Sequence, residues 1–205
     1  MSIKESANKF WSFLKEDTWQ SWLVSLILIV VIIKFIFFPI MTFLTGSALP
    51  LVVVESCSMY HETNFDSWWS QNGEWYISKN ISKEDFKNSP LYKGLNKGDI
   101  LLVTRERDPK IGDIIIFNAQ AKYPLIHRIV SLDPLQTKGD HNTAQLVPGN
   151  NPYHVDETNI QENTIVGKAS IKIIPLLGWI KLIWFEPSKI SQAKAQGLQY
   201  SSFCR

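Results

Sequence analysis

Residues 51–60 read LVVVESCSMY, and they follow closely on a long apolar segment. The β-branched run Leu51–Val54 lacks helical periodicity, so it predicts a buried strand. Ser56 and Ser58 come next. Because side chains two positions apart share one face of a strand, both hydroxyls are expected to point the same way. A serine is most often a surface or capping residue, so this pattern gains weight only from what accompanies it elsewhere in the chain.

The apolar segment Trp22–Leu44 is long enough to cross a hydrocarbon core about 30 Å thick. Lys34 interrupts this segment, and Pro39 is expected to kink or end the helix. A cleaved signal peptide is the alternative, since small residues follow at Gly46-Ser47-Ala48. The apolar region of such a peptide is shorter, about 7–15 residues. We therefore interpret residues 21–44 as a retained transmembrane anchor.

The residues on either side of this anchor indicate its orientation. Residues 1–20 carry three lysines and interleaved tryptophans, which is typical of an amphipathic interfacial helix or of a disordered tail. No Lys or Arg occurs in Thr45–Ser78. Under the positive-inside rule the N-terminus is then cytoplasmic, and everything after Leu44 lies outside the cytoplasm. The chain has eight tryptophans, and they cluster in places that could meet a membrane surface.

Downstream of residue 96 the pattern turns to short β-branched runs separated by Gly-Asp turns. This pattern is typical of a compact, mostly antiparallel β-domain. The runs are Ile100–Val103, Ile114–Phe117, Leu125–Val130 and Thr164–Ile174, the last with a break at Gly167. We therefore expect a mostly β fold, with an extracytoplasmic β-domain over residues 45–175 and one N-terminal transmembrane helix.

Two further segments are less regular. Segment 61–96 is an insertion in the β-domain, either a structured excursion or a lid. Within it, Ser82–Asn88 predicts a short helix that begins at an N-cap serine, with Asp85 at the capping-box position. Residues 176–205 contain an apolar stretch, Leu176–Phe185, that would lie along the membrane or pack on the core. A polar tail follows, which we expect to be loose.

Composition argues against several function classes. The net charge is +2 with no basic stripe, so nucleic acid is not an expected partner. Cys57 and Cys204 are the only cysteines, and they provide neither a disulfide framework nor a cluster of metal ligands. The sequence has no Gly-rich phosphate-binding loop and no paired histidine motif, so no metal site is indicated.

Three residues supply the parts of a serine-nucleophile site. Ser58 is the candidate nucleophile, and it needs a base because a hydroxyl that keeps its proton attacks poorly. His127 is the candidate base, since an imidazole with a pKa of about 6.5 accepts that proton at neutral pH. Asp140 is the candidate carboxylate that fixes the imidazole tautomer. The Ser58 backbone N–H and the Ser56 hydroxyl are candidate donors to the oxyanion.

Each of these residues alone also fits a plainer role. A histidine inside a strand pattern is more often a satisfied core residue than a catalyst. An aspartate in a turn, as Asp140 is, often accepts hydrogen bonds from its own backbone. The catalytic interpretation therefore depends on the whole set of motifs and on their order in the chain.

The motifs of this set are SCSM at 56–59, KGDILLV at 97–103, GDIIIF at 112–117, LIHRIV at 125–130 and TKGDHN at 137–142. In this order and spacing they resemble the type I signal peptidases of the archaeal and endoplasmic-reticulum kind. By this resemblance Ser58 is the nucleophile, His127 is the base where the bacterial branch has lysine, and Asp140 is the carboxylate. The similarity covers about Leu51–Tyr60 and Lys97–Gly167.

The chain departs from the family pattern at three places. Cys57 stands where the family usually has glycine, and His61 stands where it usually has proline. The family's second aspartate would fall at Gln145 or Leu146, and Asp156 is the nearest later substitute. The division of roles between Asp140 and Asp156 stays open. Segment 61–96 is also longer than the family leads us to expect.

The resemblance implies a membrane-bound serine endopeptidase that removes N-terminal signal peptides after small residues, without a metal or organic cofactor. Its implied partners are secretory preproteins, membrane lipid and the secretion translocon. Its implied location is the cell membrane, or the endoplasmic-reticulum membrane in a eukaryote. One rival interpretation is a non-catalytic membrane-tethered β-module, such as an accessory subunit of a secretion complex. A second rival, a self-cleaving repressor-type protease, would need a lysine base and a DNA-binding domain, and neither is visible.

Overall fold

The computed structural model describes residues 2–119, 123–151, 155–195 and 204. The chain divides into two compact units, residues 1–44 and residues 45–205. About 39% of the chain is helix and 20% is strand. The prediction of a mostly β fold is therefore only partly right, because the second unit carries helices of its own beside its antiparallel sheet.

The first unit is helical. Helix α1 spans Ile3–Leu14, and all of its residues are exposed or half-buried. A second continuous helix follows over Trp19–Thr45 and is long and apolar enough to cross a membrane. It consists of α2 (Trp19–Ile32), a π-helical turn (Ile33–Phe37) and α3 (Phe38–Thr45).

Pro39 does not end this helix, contrary to one of the two expected outcomes. The π-helical turn lies immediately before it, and there the N–H of Phe38 donates to the carbonyl of Ile33, five residues back. Such a wider turn changes the hydrogen-bond pattern next to a residue that has no N–H to donate. The helix therefore continues past the proline to Thr45.

The second unit is built on an antiparallel half-barrel sheet of six strands among the described residues, in the order β1-β2-β6-β3-β4-β5. The strands are β1 (Leu51–Val53), β2 (Ile100–Thr104), β3 (Ile114–Phe117), β4 (Leu125–Leu132), β5 (Leu135–Lys138) and β6 (Ile165–Ile174). Five of them lie where the β-branched runs predict strands. The pattern does not predict β5, because its LQTK sequence has one β-branched residue and no apolar run.

Insertion 61–96 is a structured excursion with an aromatic core. It contains α4 (Phe65–Ile77) and α5 (Lys83–Lys87), and the predicted capping box of Ser82 and Asp85 is confirmed at the start of α5. Its buried rings pack on Val130 of β4; they are Phe65, Trp68, Trp69, Tyr76 and Phe86. Trp68 and Trp69 therefore form part of a protein core and do not lie at a membrane surface as expected.

The C-terminal part of the chain packs on the sheet. Helix α6 spans Trp179–Ala195, so the predicted loose tail is helical as far as residue 195. Residues 196–203 and 205 of that tail lie outside the described residues. Cys204 forms a disulfide with Cys57, which corrects the expectation that the two cysteines provide no disulfide framework. The segment that carries Ser56 and Ser58 is therefore joined covalently to Cys204.

Phe86→Ala is expected to lower the free energy of unfolding by about 3–5 kcal/mol. Phe86 is fully buried, and the Arg128 guanidinium lies 4.4 Å from the centre of its ring. The control is Ile77→Ala, because Ile77 is 58% exposed and its loss should cost less than about 0.5 kcal/mol. Chemical denaturation of the detergent-solubilised chain, followed by tryptophan fluorescence, measures both. Equal losses for the two variants would contradict the aromatic core.

Candidate active site

The turn after β1 carries the two serine hydroxyls. Their Oγ atoms lie 3.2 Å apart, so Ser56 and Ser58 do present their side chains on the same side. Ser56 is exposed and Ser58 is half-buried, whereas the next residue, Met59, is buried in the core. The N–H of Tyr60 donates to the carbonyl of Cys57 at 3.0 Å and closes the turn. The hydroxyl pair is thus accessible but stands on an anchored backbone.

The loop Gly139–Asn142 lies directly against this turn. The His141 N–H donates to the Ser58 carbonyl at 2.8 Å. A Cβ on Gly139 would lie 2.8 Å from the same Ser58 carbonyl oxygen and 2.9 Å from Nε2 of His127, too close for any side chain there. The structure therefore brings Nε2 of His127 close to the backbone of the Ser58 turn.

Ser58 and His127 are not directly hydrogen bonded in the described part of the chain. The Ser58 hydroxyl has the Ser56 hydroxyl as its partner instead. Catalytic hydrogen bonds are often long or poorly aligned before substrate binds. The geometry thus places Nε2 of His127 and the backbone carbonyl of Ser58 on the two sides of Gly139.

Glu157, and not the predicted Asp140, holds Nδ1 of His127. The Nδ1–Oε1 distance is 2.5 Å, and both side chains are buried. The same carboxylate accepts hydrogen bonds from the Thr137 hydroxyl at 3.0 Å and from the Leu146 N–H at 2.7 Å. An ionised carboxylate can only accept hydrogen bonds, so Nδ1 of His127 must carry a hydrogen to bond it. In a neutral ring this is the Nδ1–H tautomer. Nε2 then keeps its lone pair, which is the arrangement a general base needs.

The carboxylate of Asp140 is occupied by other groups. Arg128 donates to it from Nε at 3.0 Å and from Nη2 at 2.8 Å. The Tyr76 hydroxyl donates at 3.0 Å, and Nε2 of His61 lies at 3.1 Å. The expectation that Asp140 would contact the His127 ring is therefore wrong in this structure. Its role is to join the loop to strand β4 and to the insertion.

Charge holds Asp140 in its ionised form. Complete burial alone would raise the pKa of this carboxyl. The adjacent Arg128 charge and the hydrogen bonds from His61 and Arg128 outweigh that effect, so the pKa lies well below its ordinary value. The opposite trend is found at Tyr76, where burial and then the Asp140 charge raise the pKa of the phenol. Asp140 therefore acts as a permanent acceptor at neutral pH.

Asp156, the alternative carboxylate, lies outside the site. It is exposed, and its Oδ1 accepts hydrogen bonds from the N–H and the hydroxyl of Thr158 at 2.9 and 2.6 Å. Its neighbour Glu157 is fully buried. Sequence reasoning thus missed the carboxylate on His127 by one position. Neighbouring side chains of an extended chain point to opposite sides, so only one of Asp156 and Glu157 can face the site. This alternation is the sequence signal that makes both residues candidates.

Gln145 helps to fix the backbone of Glu157. It stands at one of the two positions where the family pattern would have an aspartate. Its Nε2 donates to the Thr137 carbonyl at 2.9 Å and to the Glu157 carbonyl at 3.2 Å. The Glu157 N–H in turn donates to the Leu146 carbonyl at 2.8 Å. The segment that carries Glu157 is therefore fixed on both sides by hydrogen bonds.

Lys138 is an unusual buried cation beside the site. Its Nζ donates to the Gly139 carbonyl at 3.0 Å and lies 5.1 and 5.0 Å from the ring centres of Trp75 and Tyr76. Burial lowers the pKa of this lysine to about 8, although the charge of Asp140 acts in the opposite direction. Lys138 therefore loses its charge at a lower pH than an ordinary lysine does.

The described residues contain no group of three or more His, Cys, Asp or Glu side chains that could hold a metal ion. The sequence matches no protein-family model and no curated protein sequence. The site contains a hydroxyl pair, an oriented imidazole and a buried carboxylate.

Lys138→Met is expected to raise the free energy of unfolding at pH 7 by up to about 3 kcal/mol, because it removes a buried positive charge. The hydrogen bond to the Gly139 carbonyl is lost as well, and this loss reduces the gain. Lys138 has a pKa of about 8 in the folded chain against an ordinary value of 10.5, so the unfolded state binds more protons between these values. Wild-type stability should therefore rise with pH from about 8 to about 10.5, and the advantage of the variant should shrink over that interval.

Unfolding free energies of both proteins, measured from about pH 7 to about pH 10.5, provide this test. Lys110→Met, at an exposed lysine, is the control for the loss of a positive charge. A stability difference between Lys138→Met and wild type that stays constant over the whole range would contradict the expected change.

Proposed function

We propose that this chain is a membrane-anchored serine endopeptidase of the type I signal-peptidase kind, which removes N-terminal signal peptides from secreted preproteins. The observation that carries the proposal is the convergence of Ser58, His127 and Glu157. Nε2 of His127 lies beside the Ser58 turn, and Nδ1 of the same ring is bound by the buried Glu157 carboxylate. This is the combination of nucleophile, base and orienting group that acyl transfer requires.

The proposed reaction proceeds in two acyl-transfer steps. Ser58 Oγ attacks the scissile carbonyl while Nε2 of His127 takes its proton, and the Glu157 carboxylate stabilises the resulting imidazolium. The Ser58 N–H and the Ser56 hydroxyl donate to the oxyanion. His127 then returns the proton to the leaving amine, which is the new N-terminus of the mature protein. Water, activated by the same imidazole, hydrolyses the acyl-enzyme.

The open edge of β1 supports an extended peptide as substrate. This strand pairs only with β2 among the described residues, and the N–H of Val54 already donates to the Asp99 carbonyl. Because backbone groups alternate in direction along a strand, those of Val53 face the open side. A peptide that pairs along this edge would present alternate side chains to the surface beside Ser58. Shallow pockets there would favour small residues at the first and third positions before the cut.

The membrane location is part of the same proposal. The helix over Trp19–Thr45 supplies an anchor, and the lysines before it favour a cytoplasmic N-terminus. The Cys57–Cys204 disulfide supports an extracytoplasmic β-domain, because disulfides persist in oxidising compartments. We further propose the cell membrane, or the endoplasmic-reticulum membrane in a eukaryote, as the site of action. Preproteins and the translocon that delivers them are the proposed partners.

Exposed apolar residues around the start of α6 support contact with lipid. They are Leu176, Leu177, Ile180, Ile183 and Trp184. Trp184 is 81% exposed and suits an interfacial position. The indole of Trp179, by contrast, donates to the Lys97 carbonyl at 3.0 Å. Of the two tryptophans of α6, we therefore propose an interfacial role only for Trp184.

A non-catalytic, membrane-tethered accessory subunit is the second candidate. The observation in its favour is that the Ser58 hydroxyl pairs with Ser56 and makes no direct hydrogen bond to His127 within the described residues. Such a protein would bind a signal peptide along β1 without cutting it. Cleavage assays on the full chain separate the two functions.

The wild-type chain in detergent is expected to cut a preprotein at one bond after small residues, and Ser58→Ala is expected to abolish the cut. Ser56→Ala should lower the single-turnover rate by about 10²–10³-fold, since it removes one oxyanion donor. Ser78→Ala, at an exposed serine of the insertion, should match wild type. The measurement is single-turnover kinetics with N-terminal analysis of the product. A wild type that binds the preprotein without cutting it would support the accessory-subunit function.

Glu157→Gln is expected to reduce turnover by orders of magnitude, about 10⁴-fold in the best-studied Ser-His-Asp case, because the wrong imidazole tautomer is then favoured. Asp156→Asn is the matched control, one residue away and exposed, and should stay within about twofold of wild type. Both are assayed by single-turnover cleavage at temperatures where melting curves show fully folded protein. If Asp156→Asn is inactive and Glu157→Gln cleaves normally, the proposed roles of the two carboxylates are reversed.

A further inference from the structure

The two sides of the Ser58 turn are held by different parts of the chain. On the C-terminal side, the Leu95 N–H donates to the Met59 carbonyl at 2.7 Å and the His141 N–H donates to the Ser58 carbonyl at 2.8 Å. On the N-terminal side, the last strand pair is Val53 with Ile100, and the last backbone hydrogen bonds to the segment before β2 join Val54 to Gly98 and Asp99. Residues 55–57, which include Ser56, lie beyond these bonds.

Contacts from the C-terminal part of the chain hold this N-terminal side. Lys181 of α6 forms an ion pair with Glu55 at 2.8 Å. Cys204 is bonded to Cys57, the residue between the two hydroxyls. We call helix α6 together with Cys204 the C-terminal strap.

Helix α6 of the strap is attached to the segment that enters β2. Lys97, which lies just before β2, forms a buried ion pair with Glu186 of α6 at 2.8 Å. The Gly178 N–H donates to the Gly98 carbonyl at 2.8 Å, and the Trp179 side chain contacts Gly98. Helix α6 is therefore docked against the segment that enters β2, next to the strand that precedes the nucleophile.

We propose that the C-terminal strap positions the nucleophile, and that Cys57 and Cys204 are positioning residues whose disulfide fixes Ser56 and Ser58 for attack. This inference rests on the endopeptidase function proposed above. Cys57 stands between the two serines, so its backbone cannot move without moving both hydroxyls. The bond extends to a residue 147 positions further along the chain. It thus restrains the turn from outside the sheet.

The covalent bond is the main restraint in the strap. The Lys181 side chain is 53% exposed, and ion pairs between exposed groups contribute little. A displacement of about 1 Å at a reacting group, in contrast, can reduce rate by about 10²-fold. Loss of the disulfide is therefore expected to act on the chemical step, while the open edge of β1 continues to bind peptide.

The test uses the full chain in detergent and a synthetic preprotein with alanine at the first and third positions before the cut. Cys204→Ser, Cys57→Ser and the double variant should each lose about 10- to 100-fold in kcat, with KM within about twofold of wild type. The three losses should be equal, because all three variants remove the same bond.

Reduction of the wild type supplies an independent arm of the test. Dithiothreitol converts the disulfide to two protein thiols and is itself oxidised to its cyclic disulfide. The wild-type rate should then fall to that of the double variant and recover on reoxidation, whereas the double variant should not respond. Free alkylation of both cysteines in unreduced wild type would overturn the proposal at once.

A stability control separates positioning from a general loss of folding. Ile160→Ala removes a buried side chain from a different core cluster and should lower the melting temperature with little change in kcat. All variants are compared where melting curves show them fully folded. If Cys204→Ser loses no more kcat than Ile160→Ala, the disulfide serves stability alone and the positioning role is overturned.

The outcomes also distinguish this inference from the proposed function. An active wild type, an inactive Ser58→Ala and a Cys204→Ser variant with the wild-type rate would overturn the strap alone. A wild type that does not cut, or a Ser58→Ala variant that still cuts, would overturn the endopeptidase function and the strap with it.

Discussion

The candidate site depends on the buried ion pair between Arg128 and Asp140. Arg128 directly follows His127 on β4, and Asp140 lies between Gly139 and His141, which both lie against the Ser58 turn. One pair of charges thus links the strand that carries His127 to the loop that contacts the Ser58 turn.

The remaining donors of Arg128 extend this link to other segments. Nη1 donates to the Pro90 carbonyl at 3.0 Å and to the Gly112 carbonyl at 2.8 Å, and Nη2 reaches the Leu91 carbonyl at 3.3 Å. The end of the insertion and the turn before β3 are therefore bound by the same guanidinium. Such a buried pair adds little net stability over an apolar one, but removing one partner costs about 3–5 kcal/mol because a buried charge is left alone.

Local features of this fold are readable from the sequence, and long-range features are not. The β-branched runs, the Ser82 capping box and the Ser56–Ser58 pair each depend on neighbouring residues, and the structure has all of them. Glu157 could not be assigned in this way. Its segment has no strand pattern, and its place beside β5 comes from hydrogen bonds such as that from the Thr137 N–H to its carbonyl at 3.0 Å.

Asp140 and Glu157 bind different residues of β4, Arg128 and His127 respectively. The alternation of side chains along that strand explains why. His127 and Arg128 point to opposite sides, so a group bound to one is poorly placed for the other. Asp140 meets Arg128 and is held ionised by it. Glu157 meets His127 and forms no ion pair with any lysine or arginine among the described residues. In the proposed mechanism this difference matters, because a carboxylate already paired with a guanidinium stabilises an imidazolium far less than one without such a partner.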